Sequence, residues 1–217
     1  MEGGIRVGVC GCAAVENGRV VGVSRVTSLN VRIPHAVTVC VDPILDWFFS
    51  QPLRQGMLLY APPGGGKTTV LRSLAAALSS PRYNLCTVAV DTREELGVTL
   101  ADSKLNLDIL VGYPKRIGIE IAVRSLGAGV ILCDEIGDEE DARAILSAVG
   151  CGVPLIATAH AADPRELLCR PTFASLHRAH AFGAYVGLTR REDNAYFFRF
   201  TPCEESGCMQ VSKQEEE

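Results

Sequence analysis

The sequence predicts an α/β fold, a mainly parallel sheet flanked by helices, with a small antiparallel β piece ahead of it. Three observations predict it. Short, almost wholly apolar runs alternate with longer amphipathic ones, as in parallel strands covered on both faces by helices. A glycine-rich loop, Ala61-Pro62-Pro63-Gly64-Gly65-Gly66-Lys67, joins one such run to a helical pattern. Before all of this, apolar residues alternate with polar or small ones from Arg6 to Arg32 on either side of Asn17-Gly18, a strong hairpin signal.

Residues 1–33 read as a residual N-terminal β subdomain of two or three strands, the last part of a longer domain. Residues 34–54 are a helical connector in which Asp42 and Pro43 suit the N-cap and first helical position. Ile44, Leu45, Phe48 and Phe49 keep helical spacing there up to Pro52. The core is expected over 55–202. Its strands are Met57–Ala61, Leu85–Val90, Val130–Cys133 and Pro154–Thr158, and its helices Lys67–Leu78, Ile117–Leu126 and Glu139–Val149. Tyr185–Thr189 and Ala195–Phe200 form a closing hairpin around Arg190 to Asn194. From 203 to 217 the chain is polar, ends in three glutamates and reads as a disordered acidic tail.

Composition removes several classes of function. A net charge of −4 lacks the basic footprint of a protein that neutralises many nucleic-acid phosphates, so nucleic acid is not the expected partner. No apolar stretch approaches the ~18 residues of a membrane-spanning helix, and direct membrane insertion is not expected. The nine cysteines lie mostly within apolar runs and read as small buried thiols of a reducing compartment. Neither Cys10 with Cys12 nor Cys203 with Cys208 has the spacing or nearby histidine of a zinc site.

The loop carries the chemistry. Pro63, Gly64, Gly65, Gly66, Lys67, Thr68 and Thr69 follow a buried strand and open a helix. Backbone N–H groups there converge on an anion, and the helix dipole favours negative charge. This is a nucleotide-phosphate loop, with Lys67 for the β- and γ-phosphates and the Thr68 hydroxyl for Mg²⁺. Ala61 stands where the pattern has glycine, at a cost of about 1 kcal/mol if that position needs a left-handed backbone.

Further along, Val130 to Cys133 delivers Asp134 and Glu135 to a strand's carboxyl end, where open α/β sheets bind ligands. Asp134 suits a water-mediated Mg²⁺ contact. Glu135 suits the base that deprotonates an attacking water, which favours an ATPase over a small-molecule kinase. Ala157-Thr158-Ala159-His160 closes the next strand with groups able to sense a γ-phosphate or place water, and Asp91-Thr92-Arg93-Glu94-Glu95 closes an earlier one. Arg93, Arg116, Arg124, Arg190 and Arg191 are candidates for steadying transition-state charge, with Arg124, Arg190 and Arg191 foremost.

The chain resembles the stage III sporulation protein AA family, a group of RecA-like ATPases related to the motors of type II secretion and type IV pili. The marks run over nearly its whole length: Gly4-Ile5-Arg6-Val7-Gly8-Val9-Cys10-Gly11, Thr27 to Ile33, Pro62 to Thr69, Asp91 to Glu95, Arg124-Ser125-Leu126, Cys133 to Gly137, Ala157 to His160 and Leu188 to Arg191. Ala61, Thr92 and Gly127-Ala128-Gly129 depart from the family pattern. The resemblance implies a Mg²⁺-dependent ATP-hydrolysing motor in the mother-cell cytoplasm, peripheral to the membrane and docked to proteins of a channel leading to the forespore. It also implies a ring, hexameric in subunit count, and makes Arg124 and His160 active-site residues; Arg191 joins them as a candidate finger. A nucleic-acid-associated ATPase and a nucleotide-gated scaffold that barely turns over are the alternatives.

Overall fold

The computed structural model describes residues 6–32, 37–51, 55–96, 104–191 and 195–203. The chain divides into two compact units, Met1–Val37 and Thr38–Glu217.

The first unit is an antiparallel ribbon of two strands, β1 (Arg6–Glu16) and β2 (Arg19–Arg32), turned by Asn17 and Gly18 with φ of 50° and 75°. Val7 faces Val31, Val9 faces Leu29, Gly11 faces Val26, Ala13 faces Val23 and Val15 faces Val20. Directly opposed residues point to the same side of a sheet, so these collect on one face. Apolar residues recur every second position along β1 but every third along β2 from Val20 to Leu29. Three bulges reconcile the two spacings by giving β2 one extra residue opposite the Cys10/Gly11, Cys12/Ala13 and Ala14/Val15 steps.

The second unit opens with α1 (Asp42–Ser50), which buries Ile44, Leu45 and Phe48. Its N-cap is Val41, without a side-chain cap, so Asp42 is a first-turn residue and not the cap that its sequence position suggests. A seven-stranded sheet follows, ordered β5-β4-β6-β7-β3-β8-β9. The strands are β3 (Met57–Ala61), β4 (Thr87–Asp91), β5 (Leu107–Val111), β6 (Val130–Glu135), β7 (Leu155–His160), β8 (Ala184–Arg190) and β9 (Tyr196–Pro202), all parallel except β9.

Met57, Leu59 and Ala61 of β3 join α1 and α2 (Lys67–Ser79) in one apolar layer. Leu58 and Tyr60 join α3 (Lys115–Arg124), α4 (Glu139–Gly150) and α6 (Pro171–Arg178) in the other. Burial on both faces is what made β3, β4, β6 and β7 legible as apolar runs.

Three elements escape the sequence reading: β5, α6 and the short α5 (Pro164–Leu168). β5 is a partly exposed edge strand interrupted by Asp108, and both helices are too short for a periodic signal, although each has a proline in its first turn. The cysteines also differ from expectation. Cys10, Cys12, Cys40, Cys151 and Cys169 are exposed, and among the described thiols, all of them free, only Cys133 and Cys203 are buried. Cys10 and Cys12 lie on the ribbon face opposite the valines, an assignment that depends on register and not on local hydropathy. Buried Cys203 does have a histidine neighbour, with Sγ 3.3 Å from His177 Nδ1. The expected tail lies, apart from Cys203, outside the described residues.

Candidate active site

The phosphate loop leaves β3 at Ala61 and enters α2 at Lys67. Gly64 and Gly66 take φ of 76° and 83°, the left-handed region that glycine enters without strain. Ala61 is still in the strand and is not among the residues with positive φ, so the strain foreseen for an alanine there does not arise. Its methyl group instead fixes Gly65, where any Cβ would collide with it. Gly66, the N-cap of α2, lies under the hydroxyl of Tyr196 at the start of β9 and has no room for a side chain.

β7 lies between β3 and β6, with Ala61 paired to His160 and Glu135 paired to Thr158. Three strand ends therefore place Lys67, His160 and Glu135 in a line. Lys67 Nζ donates to the carbonyls of Ala61 (3.0 Å) and Pro62 (3.3 Å) and lies 2.7 Å from His160 Nδ1. An ammonium can only donate, so Nδ1 accepts and the ring proton is assigned to Nε2, which faces Glu135 Oε2 at 3.1 Å. Arg93 reaches the same carboxylate oxygen at 3.0 Å. Burial lowers the Lys67 pKa against the opposing pull of Glu135, which makes this ammonium the readier to exchange its neutral partners for an anion.

The loop after β4 is braced to this line. Asp91 accepts the N–H groups of Glu95 and Leu96, each at 2.8 Å, and Arg72 donates to the Glu95 carbonyl. Thr68 Oγ1 donates to Glu95 Oε2 at 3.3 Å, so its lone pairs are left for a cation. Ser73 Oγ donates to the Thr69 carbonyl within α2.

Asp134 is different. In the β6–β7 pairing Cys133 faces Ala157 and Glu135 faces Thr158, so Asp134 is the extra residue of a bulge. Its side chain is buried beside Lys115, whose Nζ approaches Oδ1 to 3.2 Å as an ion pair without hydrogen-bond alignment. Neither carboxylate oxygen has a hydrogen-bond partner among the described residues. Lys115 also reaches Asp141 Oδ2 at 3.3 Å. Burial raises the Asp134 pKa more than the single nearby lysine lowers it. At Lys115 burial pulls downward, but Asp134 and Asp141 with buried Cys133 outweigh it and the ammonium is held above its usual range.

The structure brings together Lys67, Thr68, Glu135, His160 and, from the arginine set, Arg93. It does not do so for Arg124 or Arg191. Arg124 pairs with Glu120 at 3.2 Å on the outer face of α3 with its side chain 76% exposed, and Arg191 lies over the Phe197 ring. Sequence reasoning missed Tyr196 and Lys115. Tyr196 leaves no sequence signal. Lys115 does leave one: a cation in a helix's first turn opposes the dipole, which marks a lysine there as serving something else.

The family described as "Sporulation stage III, protein AA" matches residues 1–196. The chain belongs to this sporulation family. It is 34% identical over 198 residues to the Stage III sporulation protein AA of Bacillus subtilis (strain 168), covering 88% of this chain and 64% of that protein. Among solved structures it is similar to the ATPase DotB of Legionella pneumophila, with a TM-score of 0.63 at 15% identity over 94% of this chain and 59% of that one. The pilus retraction motor PilT, solved with bound ADP, gives a TM-score of 0.57 at 14% identity over 91% and 62%. At such identities the likeness is one of fold. This chain of the sporulation family thus has the architecture of secretion and pilus ATPases and spans less than two thirds of the B. subtilis relative.

Proposed function

We propose that this chain is an ATP-hydrolysing motor subunit that energises a channel between mother cell and forespore. Family membership supplies the setting, but the observation that carries the reading is the line Lys67–His160–Glu135–Arg93 at the mouth of the phosphate loop. In this reading the triphosphate lies on the N–H groups of Gly64 to Thr69. Phosphate oxygens replace the Ala61 and Pro62 carbonyls as acceptors for Lys67. Glu135 takes a proton from water as the water oxygen adds to the γ-phosphorus. The bond to the β–γ bridging oxygen breaks, leaving ADP and phosphate. His160, donating from Nε2, fixes the carboxylate without quenching its charge.

A divalent cation fits the residues present. Asp134 has two buried oxygens without hydrogen-bond partners among the described residues, and Thr68 spends its proton on Glu95. Thr68 and Asp134 would hold Mg²⁺, which neutralises charge on the β- and γ-phosphates. The assembly proposed is a ring, hexameric by analogy with secretion motors, in which Arg124 or Arg191 serves the site of the next subunit. Their positions on the outer face of α3 and at the end of β8 suit such a role. The proposed location is the mother-cell cytoplasm, with attachment to the membrane borrowed from channel proteins. No helix among the described residues is long and apolar enough to cross a membrane.

Steady-state ATP turnover against protein concentration, with and without nucleic acid, tests this. Expected is turnover that rises with concentration and ignores nucleic acid. Failure to bind ATP, or turnover that depends on DNA or RNA, would sink it.

A further inference from the structure

Lys115 lies in the first turn of α3 with only 10% of its side chain exposed, yet no role in nucleotide chemistry follows from its place in the chain. Two facts make a purely structural salt bridge a poor account of it. A lysine at a helix N-terminus faces the positive end of the dipole, and burying its ammonium costs hydration that the facing carboxylates of Asp134 and Asp141 must offset. Something about this position favours a fixed positive charge despite both.

What the ammonium touches is specific. Asp134 Oδ1 lies 3.2 Å away and Asp141 Oδ2 3.3 Å away. Asp141 is itself anchored, because Oδ2 accepts the Gly137 N–H at 2.8 Å and its own N–H is held by the Asp138 cap at 3.0 Å. The lysine thereby ties the start of α3 and the first turn of α4 to the bulged end of β6. Asp134, the bulge residue, has no other polar partner among the described residues to fix its rotamer.

We infer that Lys115 is a positioning residue for the metal carboxylate: it holds Asp134 through Oδ1 against a fixed point on α4 and leaves Oδ2 to face the nucleotide-bound cation. The inference rests on the reading of Asp134 as the Mg²⁺ carboxylate. Residues that orient a metal's carboxylates from behind are worth about 10–100-fold in metal affinity. Lys115 acts in this way and makes no contact with nucleotide.

The test compares the parent with Lys115→Met, of similar length without the charge, and Lys115→Arg, which keeps it. ATP affinity is measured in Mg²⁺ and in EDTA, and Mn²⁺ is titrated into the protein–ATP complex by electron paramagnetic resonance. Expected for Lys115→Met is a Mn²⁺ affinity about tenfold weaker, and a similar fall in the ratio of ATP affinity with metal to that without. Lys115→Arg should recover most of both.

A methionine variant that melts earlier but keeps the parent's ratio and Mn²⁺ affinity shows a merely structural lysine and overturns the inference. Should Lys115→Met not fold, Asp141→Asn removes the fixed point instead, and an unchanged ratio there is equally fatal. A parent that binds no ATP in either buffer overturns the functional reading and this one with it. A parent that binds, beside variants that do not differ from it, overturns this one alone.

Discussion

Asp134 and Glu135 are neighbours in sequence, carry the same functional group and end the same strand, yet they sit in opposite surroundings. Glu135 stays in the β6–β7 register, keeps 24% of its side chain exposed, and has Arg93 and His160 on one oxygen. Asp134 is the bulged residue, is buried against one lysine, and has no hydrogen-bond partner among the described residues. A single extra residue in a strand separates a solvated carboxylate, placed to take a proton, from a desolvated one fit to face a cation. Role follows from what each group faces, and a bulge decides what it faces.

The largest expected effect sharpens the Glu135 side. Glu135→Gln should lower turnover by about 10²–10⁴-fold while ATP affinity stays near the parent's, read from kcat and a binding isotherm. Turnover at the parental rate would erase the distinction between the two carboxylates.

Next comes Asp134→Asn, which should weaken ATP binding in Mg²⁺ far more than in EDTA. It should also flatten the pH dependence of melting. Because burial holds the Asp134 pKa above its ordinary value, the folded protein keeps that proton longer than the unfolded chain does. The resulting stability is present in full at low pH and is lost as pH rises from about 4 through the folded value. Parent and variant melting temperatures should therefore converge differently at the two ends of that window. Parallel curves would mean that Asp134 is solvated after all.

Lys115 works at the other end of the scale. Its raised pKa contributes stability below about 10.4 that disappears as pH climbs through the folded value, a loss that Lys115→Met should lack in thermal melts at alkaline pH. Smaller still is Arg93→Ala, since an ion pair with a half-exposed arginine is worth about 1 kcal/mol at most. A fall in kcat of about fivefold or less is expected. At the bottom of the range, Cys133 next to Asp134 should resist alkylation in the native protein, because burial drives its pKa upward. Cys10, Cys12, Cys40, Cys151 and Cys169 should react, as mass spectrometry of the labelled chain would show.

What could be read in the sequence was whatever depends on near neighbours. The glycine loop, the strand ending in Asp134-Glu135 and the histidine closing β7 each announce themselves within a few residues. The α/β alternation follows from strands such as β3 and β6 that are apolar on both faces. What could not be read depends on which distant segments meet. Tyr196 covers Gly66 only because β9 returns beside β8, next to the phosphate-loop strand, and Lys115 meets Asp134 only because α3 packs against β6. Arg93, which the sequence ranks behind Arg124, Arg190 and Arg191, is singled out by the brace that Asp91 puts on its loop.

The three bulges of the N-terminal ribbon have a consequence for how the chain behaves when concentrated. A long, flat strand edge is a template onto which another molecule's strand can pair, and valine-rich segments are especially prone to stacking of that kind. Each extra residue in β2 leaves a gap in the ladder and adds local twist, so few consecutive backbone groups along the ribbon stay in regular register. The insertions that gather the valines onto one face thus also guard its edges. Deleting a bulge residue such as Ser24 would leave Val23 and Val26 two positions apart and still on one face, but would straighten the ribbon and lengthen its regular ladder, at the expense of solubility.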